Sequence, residues 1–250
     1  MFEQISQWFA ETWASLKADF VLNFIKDDRW EYLLRGLGVT LKVTFFAVLL
    51  GIVLGVVIAI VRSTWDKNQE TMRKGFKRGL LHFFNGICKL YLTVIRGTPV
   101  VVQLMIMYFV IFGASNNMVL AGVLSFGINS GAYVAEIVRG GIMSVDNGQF
   151  EAGRSLGFNY VKTMWYVILP QAFKNILPSL ANEFIVLLKE TSVVGYIGLA
   201  DLTYGGNIIR GRTYSAFMPL IAVALIYLVM VIFFTWLVGK LERRLRNSER

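Results

Sequence analysis

Two stripes of polar residues interrupt the apolar runs of this chain at helical spacing. Asn129, Tyr133 and Glu136 fall at i, i+4 and i+7, on one helix face. Asn182 and Glu183 are followed by Lys189 and Glu190, each pair at i and i+7, as a second stripe. Carboxylates beside amides, with one ammonium, can meet both ends of a zwitterionic solute. Polar groups inside a membrane are expensive and mark pathways by default. A plainer role is open to the same residues, which can pair between helices or lie near the membrane surface, and for Glu183 and Lys189 both readings stand. Glu136, close before Arg139, belongs near the cytoplasmic edge. Gln103 reads as interhelical glue.

No covalent chemistry is legible. The single histidine, His82, sits beside a basic stretch and suits a solvated or interfacial ring. The single cysteine, Cys88, excludes an intrachain disulfide and any paired-cysteine metal site, and reads as a buried or interfacial thiol. No HExxH, GxSxG or GxxxxGK[ST] motif occurs, so the chain has no such loop with which to cradle ATP. No cofactor is expected.

A third feature is the polar island 149–170, QFEAGRSLGFNYVKTMWYVILP, set between long apolar runs. Glu151 is followed by small residues at Ala152 and Gly153, then Ser155, Leu156 and Gly157. Gly157 punctuates two short helical patterns, and Asn159 can cap the second. Val161, Trp165 and Leu169 then repeat every fourth position on one face. Small residues that let another backbone approach, beside an amphipathic run, describe a docking element.

The elements that position these groups are membrane helices. Of the 250 residues, 56% are hydrophobic and only 16% charged, against about a quarter charged in soluble domains. The net charge of +9 does not indicate nucleic acid, because the basic residues flank apolar spans. Since about twenty apolar residues cross a bilayer, the candidate spans are 37–61, 98–112, 118–138, 176–198 and 216–238. The run Arg96-Gly97-Thr98-Pro99 predicts a turn or helix start, with Pro99 in the first helical turn and Arg96 at the inner membrane edge. Gly51 and Gly55 form a GxxxG in the first span, a common packing device.

Charge asymmetry orients the spans. Arg62, Lys67, Arg73, Lys74, Lys77 and Arg78 follow the first; Arg139, Arg154, Lys162 and Lys174 mark the island; Lys240, Arg243, Arg244, Arg246 and Arg250 mark the tail. The segment 113–122 carries no charge and 195–215 only Asp201, Arg210 and Arg212. Positive charge stays in the cytoplasm, so the amino terminus is expected outside, the carboxyl terminus and the island inside.

Before the first span, Ile5, Phe9, Trp13, Leu16, Phe20 and Phe24 recur at three- and four-residue spacing, giving an amphipathic helix that lies on the membrane or binds a partner. No cleavable leader is recognised there. The expected organisation is an interfacial segment 1–35, a transmembrane domain 36–240 carrying the loop 146–170, and a basic cytoplasmic tail 241–250. The expected fold is therefore all-α and integral to the membrane, with five transmembrane helices, an amphipathic N-terminal helix and a cytoplasmic two-helix loop.

Glu151-Ala152-Gly153, Gly157 and Ile168-Leu169-Pro170 together resemble the EAA loop of permease subunits in bacterial ABC importers. Ile95–Pro99 with Gln103-Leu104, the run NSGAYVAEIVR over 129–139, LKETS over 188–192 and Ile197-Gly198 resemble the polar amino acid permeases, relatives of the histidine, glutamine and arginine systems. The likeness covers roughly 36 to the end. Gly153 stands where the family's triplet has its second Ala, and Gly131 where Ala is common; both keep the side chain small. The resemblance implies a type I importer core of five helices in the bacterial cytoplasmic membrane. It also implies a second permease subunit (the same chain or another), two ATPase subunits that bind the ATP, and an extracytoplasmic amino acid-binding protein. Glu151, Ala152, Gly153, Ser155, Leu156 and Gly157 would then couple to the ATPase, whose closure swings the helices. Residues 199–212 would face the binding protein. Two rivals are a stand-alone secondary transporter, disfavoured by few spans and no apparent inverted repeat, and a membrane scaffold whose polar stripes are only structural.

Overall fold

A computed structural model of the chain describes residues 1–70, 72–115 and 117–247, and at 2, 3, 5, 6, 9, 246 and 247 the backbone path alone. Among the described residues every regular element is helical. In chain order they are α1 (Phe2–Phe20), α2 (Trp30–Asn68), α3 (Phe76–Gly97), α4 (Val100–Met105), α5 (Met118–Met143), α6 (Asn147–Ser155), α7 (Tyr160–Thr163), α8 (Leu169–Glu190), α9 (Leu202–Thr213) and α10 (Phe217–Asn247). Wide π turns extend three of them, at Val21–Ile25, Ile106–Ile111 and Met164–Ile168.

The packing centre is the pair α2 and α5, the most extensive helix contact in the molecule. Small residues permit it: a Cβ at Gly55 would stand 2.5 Å from Val134 Cγ1, and one at Gly51 3.0 Å from the Ser130 side chain. The GxxxG of the first span is thus a seat for α5. Around this axis lie two apolar clusters. One joins Val43, Ala47, Leu104, Phe126, Leu187 and Val194. The other joins Ala59, Val134, Val138 and Ile142 to Phe150, Ile168 and Ala172, so residues of the polar island belong to the same core as the spans.

Three helices among the described residues are long and apolar enough to cross a membrane: α2, α5 and α10. A fourth crossing is available if α3 and Val100–Ile111, which meet at 106°, form one broken span. The expected second span at 98–112 is corrected accordingly. Thr98 is extended (φ −123°, ψ 145°), as a residue before proline prefers, and Pro99 precedes the helix that starts at Val100. The basic stretch before it is largely helical too, since Lys77, Arg78 and His82 lie in α3.

The expected span 176–198 differs more. Its helix starts at Leu169 with Pro170 in the first turn, carries Pro178 in its interior, and ends at Glu190. The apolar residues beyond it fold as a tight 3₁₀ segment, Thr191–Ile197, stopped by Gly198 at φ +82°. With Lys174, Asn175, Asn182, Glu183 and Lys189 along it, α8 is too polar to pass as a span on composition.

Two helices share the expected leader 1–35. After α1 and its π turn the chain breaks at Asp27 and Asp28, both in the left-handed region that Asp tolerates (φ 56° and 50°), and residues 30–35 already belong to α2. The break is well anchored. Arg29 is buried and donates to Leu22 O (2.5 Å) and Asp27 Oδ2 (2.7 Å), while the fully buried Asn23 accepts from Thr213 Oγ1 at 2.8 Å. Phe24 enters a cluster with Leu33, Leu202, Ile209 and Val223. Trp13 and Phe20 remain exposed; the side chains of Ile5 and Phe9 lie outside those described. The domain limit at 240/241 likewise falls inside α10, and Arg246 and Arg250 fall outside the described side chains.

Candidate functional site

The polar residues of the spans form a connected seam. Gln103, one turn into α4, is central: its Oε1 accepts from Asn129 Nδ2 at 2.9 Å. Its Nε2 lies 2.7 Å from Ile95 O and 2.8 Å from Thr98 Oγ1, groups released by the break between α3 and α4. An amide suits the position because its N–H groups donate to the freed carbonyl while its oxygen accepts from Asn129. Asn129 is buried where it makes this contact. Beside it the Arg96 guanidinium lies 5.6 Å from the Tyr133 ring centroid. Tyr133 lies ten positions before the end of α5 at Met143, about 15 Å of helix rise, so Arg96 stands alongside the middle of that helix.

Ser130, next to Asn129, faces the other way and donates to Glu183 Oε1 at 2.8 Å. Thr44 and Thr191 meet nearby, Oγ1 to Oγ1 at 3.2 Å, in full burial. The two sequence stripes therefore touch through a serine that neither contains. Glu136 is separate from them. It pairs with Arg139 at 3.1 Å, and Arg139 also reaches Asp66 of α2 at 3.2 Å, a partly exposed cluster that ties α2 to α5.

On α8 the second stripe divides into two rows. Glu183 and Glu190 are half-buried, whereas Asn182 and Lys189 are exposed. The exposed row extends through Asn175, Ser179, Asn182, Val186 and Lys189, running nearly the length of the helix. Asn175 and Ser179 continue the i, i+4, i+7 pattern of Asn182 toward the island; extending that spacing downward would have found them. A polar row on a helix among apolar ones must meet water or another polar surface.

Below the seam the island folds as its punctuation implies. Asp146 caps α6 through Gly148 N at 2.6 Å, and Asn159 caps α7 through Lys162 N at 2.9 Å. Between them Gly157 adopts φ +78°, and Phe158 N returns to Gly153 O at 3.0 Å, closing α6. Gly153 is buried against α7: a Cβ there would lie 2.6 Å from Thr163 Cγ2. The hook is braced against α2 by Lys67, which donates to Asn147 Oδ1 at 2.6 Å and lies 4.4 Å from the Phe150 ring centroid. Burial raises the Tyr160 phenol above its ordinary value, with Thr64 and Asn68 beside its hydroxyl.

The outer face of the hook is bare. Glu151, Ala152, Ser155 and Gly157 are exposed, and so are Leu156 (73%), Val161 (71%) and Trp165 (67%). From Tyr160 the path is helical without interruption through Met164–Ile168 into α8, about 45 Å to Glu190. At the other end of the bundle Asp201 caps α9 by accepting from Thr203 N and Tyr204 N, leaving Asn207 and Arg210 exposed.

Among the described residues an all-helical bundle with a polar seam, one bent helix pair and a bare two-helix hook has the make-up of a membrane transport subunit. Residues 78–247 match the family described as the inner membrane component of binding-protein-dependent transport systems, and the chain belongs to that family. The arginine transport system permease protein ArtQ of Bacillus subtilis is 38% identical over 87% of this chain and 94% of its own length. The glutamine transport system permease protein GlnP of Escherichia coli K12 is 40% identical over 65% of this chain and 76% of its own. Among solved structures, an amino acid ABC transporter described with histidines superposes at a TM-score of 0.75, with 45% identity over 86% of this chain and 94% of the other. The methionine transporter MetNI, at 18% identity and a TM-score of 0.73, shares the fold. The chain is an amino acid ABC transporter permease.

Proposed function

We propose that this chain carries a polar amino acid such as glutamine, arginine or histidine inward across the cytoplasmic membrane, driven by ATP hydrolysis in a separate ATPase docked on 146–170. It binds no cofactor of its own. Five crossings are made by α2, the broken α3–α4 unit, α5, α8 and α10, with the amino terminus outside and the carboxyl terminus inside. A second permease subunit covers the exposed row of α8, two ATPases take the hooks, and a binding protein meets 199–212. The leader lies outside and the basic tail inside.

The observation that carries this reading is the unbroken helix from the bare hook to the polar row. Displacement at Glu151–Gly157 passes from α6 to α7 at the tight Gly153–Thr163 contact and then runs along one helical path to Asn182, Glu183, Lys189 and Glu190, so coupling is mechanical. Asn129, Tyr133 and Glu136 support that row from α5: Asn129 by holding Gln103, Tyr133 by facing Arg96, and Glu136 by joining α5 to α2.

Reconstitution in liposomes with the cognate ATPase and binding protein tests the proposal. Uptake is expected only with ATP and with all components present. Uptake that follows an ion gradient without the ATPase would sink it.

A further inference from the structure

The groove between α8 and α10 is distinct from the polar seam and from the hook. The helices run antiparallel and touch where the Phe184 and Phe234 rings meet edge-on, 4.9 Å between centroids. From there they leave an open groove of about 480 Å³, floored by Ala181, Phe184, Phe234, Leu237 and Leu241. Lys240 and Arg244 close its far end. From Phe217 to Gly239 α10 carries no charge at all, so these cations begin abruptly where the groove stops.

Their placement marks a membrane surface. Lys240 Nζ lies 3.8 Å from the Trp236 ring centroid, and tryptophan with lysine at the end of an apolar span is an interfacial anchor. Lys240 and Arg244 stand one turn apart on one face, both exposed and in no ion pair among the described residues. Glu242 lies half a turn round from them, outside the groove. Arg243 is also outside it, its Nε donating to Gly239 O at 3.1 Å.

We propose that this groove is a binding site for one anionic phospholipid, with an acyl chain along Phe184 and Leu237 and the headgroup phosphate held between Lys240 and Arg244. An apolar trough ending in two cations that make no ion pair among the described residues is complementary to a lipid that is apolar at one end and anionic at the other. A second copy of this chain is a poorer occupant, because its own Lys240, Arg243 and Arg244 would bring like charge to the same level. Placement in the cytoplasmic leaflet rests on the orientation proposed above; headgroup selectivity reads the same in either orientation, so the two ideas fail separately.

The test is native mass spectrometry of the assembled transporter, released from micelles holding equal phosphatidylglycerol and phosphatidylcholine of identical chains. Phosphatidylglycerol should be retained preferentially. Each cation contributes about fivefold, so Lys240→Gln with Arg244→Gln should cut retention about twenty-five-fold. Ala181→Trp, which fills the trough and leaves every charge in place, should also remove the adduct, whereas Arg243→Gln should not. Equal retention of the two lipids, or an adduct that survives the double substitution, overturns the proposal. So does an interchain disulfide formed through Leu237→Cys in membranes, which would show a second permease in the groove. The double substitution alters only exposed side chains, so the test stands even if Ala181→Trp impairs folding.

Discussion

Ser130 and Glu183 are joined by a 2.8 Å hydrogen bond across the α5–α8 contact, and this bond is the meeting point of the two polar stripes. Ser130 is fully buried and sits directly on the Gly51 backbone, so α2, α5 and α8 converge at one place. Any tilt of α8 relative to the α2–α5 pair must strain or break this bond.

Glu183→Gln keeps an acceptor for Ser130 and removes only the charge. Uptake in reconstituted liposomes should fall at least tenfold while the melting temperature of the assembly stays within a few degrees. Glu183→Ala should lower stability as well, by about 1–3 kcal/mol, because the buried serine loses its acceptor. Equal uptake by wild type and Glu183→Gln would reduce Glu183 to a purely structural residue.

Glu151→Lys and Ala152→Trp change exposed side chains on α6. Both should abolish co-purification of the ATPase and ATP-driven uptake, with the membrane bundle intact by circular dichroism and gel filtration. Survival of both activities in both variants would remove the docking role from this surface.

The close approach of Gly153 to Thr163 makes a reciprocal prediction. Gly153→Ala, although it restores a triplet like that of the related permeases, places a Cβ 2.6 Å from Thr163 Cγ2 and 2.7 Å from its Oγ1. Overpacking of this kind costs about 1–3 kcal/mol. Thr163→Ala removes both opposing atoms, so the double variant should recover most of the loss. A double-mutant cycle on thermal stability reads the coupling, and additive losses would mean that the helices separate freely.

Gln103→Leu leaves the Ile95 carbonyl and the Asn129 amide without their partner. A cost of about 2–4 kcal/mol is expected for the two stranded groups. Gln103→Glu retains the acceptor for Asn129 but cannot donate, and should fall between wild type and Gln103→Leu in a thermal unfolding series.

Much of this arrangement was legible from local rules. Gly157 and Asn159 marked the turn and the cap of the hook, and Gly51 and Gly55 marked a packed face. Thr98-Pro99 marked the break, although the proline precedes the helix instead of opening it. The polar α8 was harder to read, because its apolar tail 191–197 carries the hydropathy of a span but is coiled as a 3₁₀ segment against Thr44 and Val43. Helix α3 was hidden because its amphipathic face averages to a basic loop when read for hydropathy alone.

Composition, charge distribution and motif spacing by themselves determined a helical membrane protein, its basic segments and a polar two-helix hook, since each rests on residues near one another in the chain. Only the tertiary structure decided which polar groups meet. Ser130 with Glu183, Gln103 with Asn129, and Arg139 with Asp66 join residues 53, 26 and 73 positions apart. Hydrogen bonds act over about 3 Å, and helix periodicity says which way a side chain points but not which helix it faces.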